Sequence, residues 1–111
     1  MTLDDQCVSI HPYFRIPVER EQEVMELCQQ FMDHSSQESL CLYYGFSKVG
    51  EILQCREGYR GSGGALAHLE NVGDLLQTFL QICELTKLEV HGSREELEKL
   101  RPALSAFPVV F

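Results

Sequence analysis

A strand that runs through a glycine cluster into a helix carrying one histidine sets the terms for this chain. In Ile52 to Val72 (ILQCREGYRGSGGALAHLENV), Ile52-Leu53-Gln54-Cys55 reads as a strand. Gly58, Gly61, Gly63 and Gly64 then break it as a flexible turn, and Ala65, Leu66, Ala67 and Leu69 favour a helix around His68. A strand delivered to a helix N-terminus invites comparison with phosphate-binding loops. The dinucleotide fingerprint fails, however, because after Gly61-Ser62-Gly63 the third glycine position is Leu66. No lysine-serine or lysine-threonine pair follows either, so a nucleotide loop is ruled out.

The remaining segments fall into alternating periods. Val8, Ile10, Phe14 and Ile16 alternate with Cys7, Ser9, His11, Tyr13 and Arg15, which predicts a strand with one apolar and one mixed polar face. Pro12 donates no ladder hydrogen bond and so predicts an edge position or a bulge. Pro17 and the acids Glu19, Glu21 and Glu23 suit a helix start. Val24, Leu27, Cys28, Phe31 and Met32 follow at helical spacing. Leu40 to Phe46 (LCLYYGF) is apolar on both alternating faces and predicts a strand buried from both sides. After a turn at Lys48-Val49-Gly50-Glu51, Ile52 to Arg56 pairs back as a hairpin. Asn71-Val72-Gly73 interrupts the helix of His68, and Leu75, Leu76, Phe79, Leu80 and Cys83 make a second apolar stripe. Thr86 to His91 alternates again, with Leu88 and Val90 on one face. Ser93 with Glu96 reads as a capping box for a helix to Leu100, disturbed at Arg101-Pro102, and Val109-Val110-Phe111 suits a last short strand.

The order is β-α-β-β-α-β plus a C-terminal helix and strand. It predicts one α+β domain over residues 1–111, a ferredoxin-like split βαβ fold whose antiparallel sheet carries its helices on one face. A doubly apolar strand would leave a large apolar patch on the other face. Two copies packed sheet to sheet would cover it, so the expectation is a homodimer, a dimeric α+β barrel enclosing a space. His11 and Tyr13 lie on the strand face turned toward that space, as pocket-lining residues or as ordinary dimer contacts.

Charge narrows the partners. Nine Lys and Arg against 17 Asp and Glu give a net charge of −8, which speaks against nucleic acid and anionic membrane surfaces. Met1-Thr2-Leu3-Asp4-Asp5 offers no basic n-region or apolar core, so no signal peptide is expected. No apolar run nears the ~20 residues of a membrane span. The five cysteines form no Cys-x-x-Cys pair and read as reduced, buried side chains of a cytoplasmic protein. His11, His34, His68 and His91 show no close ligand spacing, so no metal is expected.

Glu57, Tyr59, Ala65-Leu66-Ala67-His68-Leu69 and Leu88-Glu89-Val90-His91-Gly92 together resemble the antibiotic-biosynthesis monooxygenase-like family of the dimeric α+β barrel superfamily. Related sequences often show a glutamate, an aromatic residue, an alanine-leucine pair and then a histidine, and here Glu57, Tyr59, Ala65-Leu66 and His68 stand in those places. The resemblance implies oxygenation without metal or flavin, in which a substrate carbanion itself gives an electron to oxygen. It casts His68 as the base, a role suited to a side chain that ordinarily titrates near neutrality. Glu57 would orient His68, Tyr43, Tyr44 or Tyr59 would hold a substrate oxygen, and Arg56 would steady an enolate. The haem-degrading branch carries a tryptophan about where His68 falls, and this chain has none. That departure speaks against haem degradation by the same route.

Other readings stay open. A helix-face histidine also serves as a hydrogen-bonded structural group, and Glu57 as a pairing partner that fixes a dimer. Alternation puts Cys55 and Glu57 on one sheet face, which leaves a cysteine nucleophile beside His68 as a remote option. The expected function is cofactor-independent oxygenation of a small aromatic or polyketide-like molecule. The alternatives are a non-catalytic small-molecule binder and a structural dimer whose own side chains fill the central space.

Overall fold

A computed structural model describes residues 5–111; the expectation about the N-terminal leader falls on residues 1–4 and lies outside the described residues. The elements are β1 (Cys7–Arg15), a 3-10 turn (Val18–Arg20), α1 (Glu21–Ser35), β2 (Cys41–Val49), β3 (Ile52–Arg60), α2 (Gly61–Asn71), α3 (Gly73–Leu80), β4 (Glu84–His91), α4 (Arg94–Leu104) and β5 (Val109–Val110). They build a five-stranded sheet in the order β2-β3-β1-β4-β5. The first four strands pair antiparallel and β5 runs parallel to β4. This is the ferredoxin-like α+β arrangement that the periodicities predict.

Alternation decides which face carries the helices. On β1, Val8, Ile10 and Phe14 are buried, and they pair across the sheet with Tyr59, Glu57 and Leu53 of β3. The core divides in two. Phe14, Val24, Leu27, Phe31, Leu53 and Phe79 form one cluster, under α1 and α3. Val8, Ile10, Tyr59, Ala65, Leu100 and Leu104 belong to the other, under α2 and α4. Phe79 stands edge-on to both Phe14 and Phe31, with ring centroids 4.9 and 5.3 Å apart, an arrangement the aromatic quadrupole favours.

Three expectations need correction. The strand at Leu40–Phe46 is not buried from both sides: β2 is the sheet edge, and Leu40, Leu42 and Tyr43 are all exposed. Pro12, expected at an edge or a bulge, meets the second condition: it sits in the central strand, beside an irregularity in the ladders. The β1–β3 pairing runs from Cys7↔Arg60 to Ile10↔Glu57 and resumes at Tyr13↔Gln54, while the β1–β4 register shifts between Tyr13 and Phe14. α4 continues through Pro102 to Leu104, because the buried Leu100 and Leu104 hold its last turn on the core. Finally, the glycine run is not a flexible turn. Gly58 lies in β3, and Gly61 to Gly64 form the first turn of α2, so strand passes directly into helix.

Two of those glycines have geometric reasons. Gly61 takes φ +78° at the junction, a conformation L side chains rarely adopt. A Cβ on Gly64 would stand 3.0 Å from Leu40 Cβ and 3.1 Å from both the Leu40 carbonyl and Tyr59 Cβ. Glu96 binds this junction from α4: its Oε1 accepts from the Ser62 backbone N–H at 3.0 Å. The expected capping box is therefore only half made, since Ser93 Oγ accepts from Glu96 N while the Glu96 carboxyl serves α2 and Lys99 instead. Gly64→Ala is expected to cost about 1–3 kcal/mol by overpacking. Gly63→Ala, where an added Cβ meets nothing within 4 Å, should stabilise by about 0.5–1 kcal/mol. Urea denaturation of the two variants checks both; equal effects would show that close approach does not select glycine at Gly64.

Candidate functional site

The first turns of α2 make the site possible. Gly61, Gly64, Ala65 and His68 are all buried, and their spacing of three, four and seven residues puts them on one helical face. Small residues at the first three positions let α2 lie close against β3 and Leu40. The fourth position then delivers an imidazole into the core, with His68 only 3% exposed. β3 supplies the groups it meets, because alternation turns Leu53, Cys55, Glu57 and Tyr59 to the helix face.

His68 is held at both ring nitrogens. Its Nδ1 lies 2.9 and 3.1 Å from the two carboxyl oxygens of Glu38, in the α1–β2 connection, and its Nε2 lies 3.6 Å from Glu57 Oε1. Asn71 Nδ2 donates to Glu38 Oε2 at 2.7 Å and to the His34 carbonyl at 3.2 Å, tying the end of α2 to the end of α1. Tyr59 donates its hydroxyl to Glu57 Oε1 at 2.5 Å. The rings of Tyr44 and Tyr59 lie 5.2 and 5.1 Å from the imidazole. A carboxylate only accepts, so Glu38 places a ring proton on Nδ1, and Nε2 is the nitrogen turned toward Glu57.

Burial sets the proton affinities. It raises the Glu57 carboxyl above its ordinary range, against the opposing pull of His68 and the hydrogen bonds from Tyr59 and Cys55. Burial likewise pushes Tyr44 and Tyr59 far up, so both remain neutral donors. The Cys55 thiol is also raised far above its usual value, chiefly by burial and then by Glu57. A thiol held protonated is a poor nucleophile, which speaks against the cysteine option. Among the described residues no cluster of three or more His, Cys, Asp or Glu is arranged to hold a metal ion.

A cavity of about 70 Å³ opens between the sheet and the helices, along the seam of the two core clusters. Eighteen residues line it, and fourteen are apolar; the other four are Tyr44, Cys55, Glu57 and His68, gathered at one place. The structure thus brings together His68, Glu57, Tyr44 and Tyr59 of the expected site residues. It sets His11, Tyr13, Tyr43 and Arg56 on the opposite sheet face: His11 and Tyr13 pair with Glu89 and Lys87 across β4, Arg56 passes over Gly45, and the Tyr43 ring covers Gly58. His11 keeps company with His91 there, ring centroids 5.3 Å apart, and its affinity for a proton is lowered by burial and then by His91. Glu38, which orients His68 in place of Glu57, carries no local signal in the sequence.

The buried Glu57 makes stability depend on pH. Its folded value is raised, so the native state binds the proton more tightly than the unfolded chain does. The stabilisation present at low pH is lost as pH climbs from the ordinary carboxyl value of 4.5 through the folded value. Glu57→Gln keeps an acceptor for Tyr59 and removes the titration, so its melting midpoint should fall less steeply over that window. Parallel curves for wild type and variant would mean that Glu57 is not the titrating group.

Comparison with known proteins follows the fold. Neither a family model nor a curated protein matches the chain. Among solved structures it is similar to MupZ from Pseudomonas fluorescens, at 37% identity over 96% of this chain and 88% of that one, with a TM-score of 0.92. Two more distant structures share the fold. One, from Nitrosomonas europaea, is assigned to the antibiotic biosynthesis monooxygenases, with 13% identity over 85% and 96% of the chains and a TM-score of 0.73. The other, from Chloroflexus aurantiacus, has the same assignment, with 12% identity over 78% and 92% and a TM-score of 0.65.

Proposed function

The chain belongs to the family of MupZ, on the antibiotic-biosynthesis monooxygenase-like fold, and from that premise we propose that it is an acid–base enzyme acting on a small polyketide-like carbonyl compound. One observation carries this reading. A buried imidazole, oriented by Glu38 at Nδ1, faces a second carboxyl whose protonated form is favoured, at the polar end of an apolar cavity. An imidazole and a carboxyl whose proton affinity burial raises stand side by side as a candidate base and a candidate acid.

The roles follow from the atoms. His68 Nε2 takes a proton from carbon next to a substrate carbonyl, and Glu38 holds the imidazolium that results. Glu57, in the protonated form that burial stabilises, and the neutral Tyr44 hydroxyl would donate hydrogen bonds to the oxygen on which negative charge develops. Low polarity around the site strengthens each of these interactions. Capture of the carbanion by dioxygen, the reaction the fold family is named for, turns a CH2 into C=O and releases the second oxygen atom as water. Reprotonation at another carbon is isomerisation and consumes no oxygen.

Two measurements bear on this. Wild-type protein should accelerate exchange of carbon-bound hydrogen for solvent deuterium in a cyclic or linear diketone. His68→Gln should reduce that rate by roughly 10²- to 10⁴-fold, the usual contribution of a positioned base. Oxygen uptake recorded alongside separates oxygenation from isomerisation. A ligand that binds without any exchange would reduce the protein to a binding module. The outer sheet face calls for a second copy, since Leu42 and Tyr43 lie about half exposed there and at the adjoining edge. Sedimentation velocity should give twice the monomer mass for wild type and the monomer mass for Tyr43→Glu; a monomeric wild type would remove the second copy from this reading.

A further inference from the structure

We infer that the segment after α4, residues 105–111, is a hinged lid on the cavity, and that a ligand reaches the polar end by lifting Phe107 off the seam. The inference concerns entry and stands apart from the acid–base reading.

The rim lies where the two core clusters meet. α3 packs on α1 and shares the cluster of Phe14 and Phe79, whereas α4 packs on α2 and shares the cluster of Ala65 and Leu100. Along that boundary the cavity is lined by Leu76 and Leu80 of α3, Leu85 and Leu88 of β4, and Phe107. Leu76, Leu80, Leu85 and Phe107 are only half-buried, so the cavity comes near water there. Tyr44, Phe46 and Leu69 also line it half-buried, but they belong to a nine-residue strand and an eleven-residue helix.

The segment carrying Phe107 is held far more lightly. β5 is two residues long and pairs with β4 only at Leu88 and Glu89. Val109 N–H donates to the Phe107 carbonyl at 2.8 Å, closing a three-residue turn on Pro108, whose fixed φ suits it. Phe107 N–H donates to the Leu104 carbonyl at 3.0 Å, and the Arg101 guanidinium lies 4.5 Å from the centre of the Phe111 ring. Ser105, Ala106, Pro108 and Val110 are exposed. A stretch with so few buried contacts and ladder bonds opens at much lower free energy than the sheet or the long helices. Leu104, buried at the end of α4, is the fixed point about which it turns. Closed, the Phe107 ring completes the apolar wall; open, it clears a path to Cys55, Glu57 and His68.

Cys55 reports the opening, because it is buried and lines the cavity. Cys28 and Cys83 are buried in the cluster under α1 and α3 and do not line it. The test follows all three thiols by peptide mass spectrometry during reaction with methyl methanethiosulfonate, a small uncharged reagent. Phe107→Ala should raise the Cys55 rate roughly tenfold or more, since an apolar ring is lost from the closed state. Arg101→Ala and Pro108→Gly, exposed positions away from the cavity wall, should raise it roughly two- to fivefold by loosening the closed segment. Cys28 and Cys83 should keep their wild-type rates in every variant. Unchanged Cys55 rates would overturn the inference, and so would a rise shared by all three thiols, which reports global unfolding. A rise confined to Phe107→Ala would mean a fixed plug without a hinge and overturn it too. No substrate enters this readout, so failure here leaves the His68 exchange test standing, and absence of exchange leaves the lid standing.

Discussion

A carboxyl group buried at the seam of two apolar clusters is the constraint on which the rest of this structure turns. Glu57 is 5% exposed, and an unpaired acid in that position would cost several kcal/mol. Three things make it tolerable: the Tyr59 hydroxyl two residues along the same strand, the Cys55 thiol two residues back, and the His68 ring across from it. The first two come free with alternation on β3. The third needs α2 to approach closely, and that approach needs Gly61, Gly64 and Ala65 on the buried face. Backbone geometry at the strand–helix junction and proton affinity at Glu57 are thus two ends of one requirement.

Glu38 and Glu57 are the same residue type with different jobs, set by their neighbours. Glu38 sits where α1 gives way to β2, with Asn71 donating to one oxygen and His68 at both. It is fixed by donors and fixes the ring in turn. Glu57 has a phenol, a thiol and the far nitrogen of the ring for company, and burial still dominates its titration. The imidazole between them has its Nδ1 fixed by Glu38 and its Nε2 turned toward Glu57 and the cavity, the placement that the proposed base needs.

Most of the architecture was legible because it rests on period. The alternation at Cys7 to Ile16, the apolar stripe at Val24 to Met32 and the turn at Gly50 each force a local structure, and the order of elements then leaves one fold. Where the sequence misled, the missing information was non-local. LCLYYGF looks buried on both faces, yet β2 is an edge, and composition cannot say what lies beyond an edge. The four glycines signal a break in structure, but whether they bend the chain or let two elements touch depends on Leu40 and Tyr59, far from Gly64 in sequence. His11 and Tyr13 do share a face, as period two requires; period does not say which face of the sheet borders the cavity. Glu38 was invisible altogether, lying 30 residues from the ring it orients in a polar stretch that reads as loop.

The seam also explains why chemistry and fit are housed apart. The polar groups come from β2, β3 and α2, locked by ladder hydrogen bonds and by the close α2–β3 contact. Much of the apolar wall comes from α3 and the C-terminal region, with Leu76, Leu80, Leu104 and Phe107 contributing side chains. A change among those four acts first on the width of the seam. A change at Gly64 or Ala65 shifts the imidazole itself. The separation is one of wall from polar end and not of independent bodies, because α2 packs directly on α4, with Ala65 in one cluster with Leu100 and Leu104, and leads straight into α3.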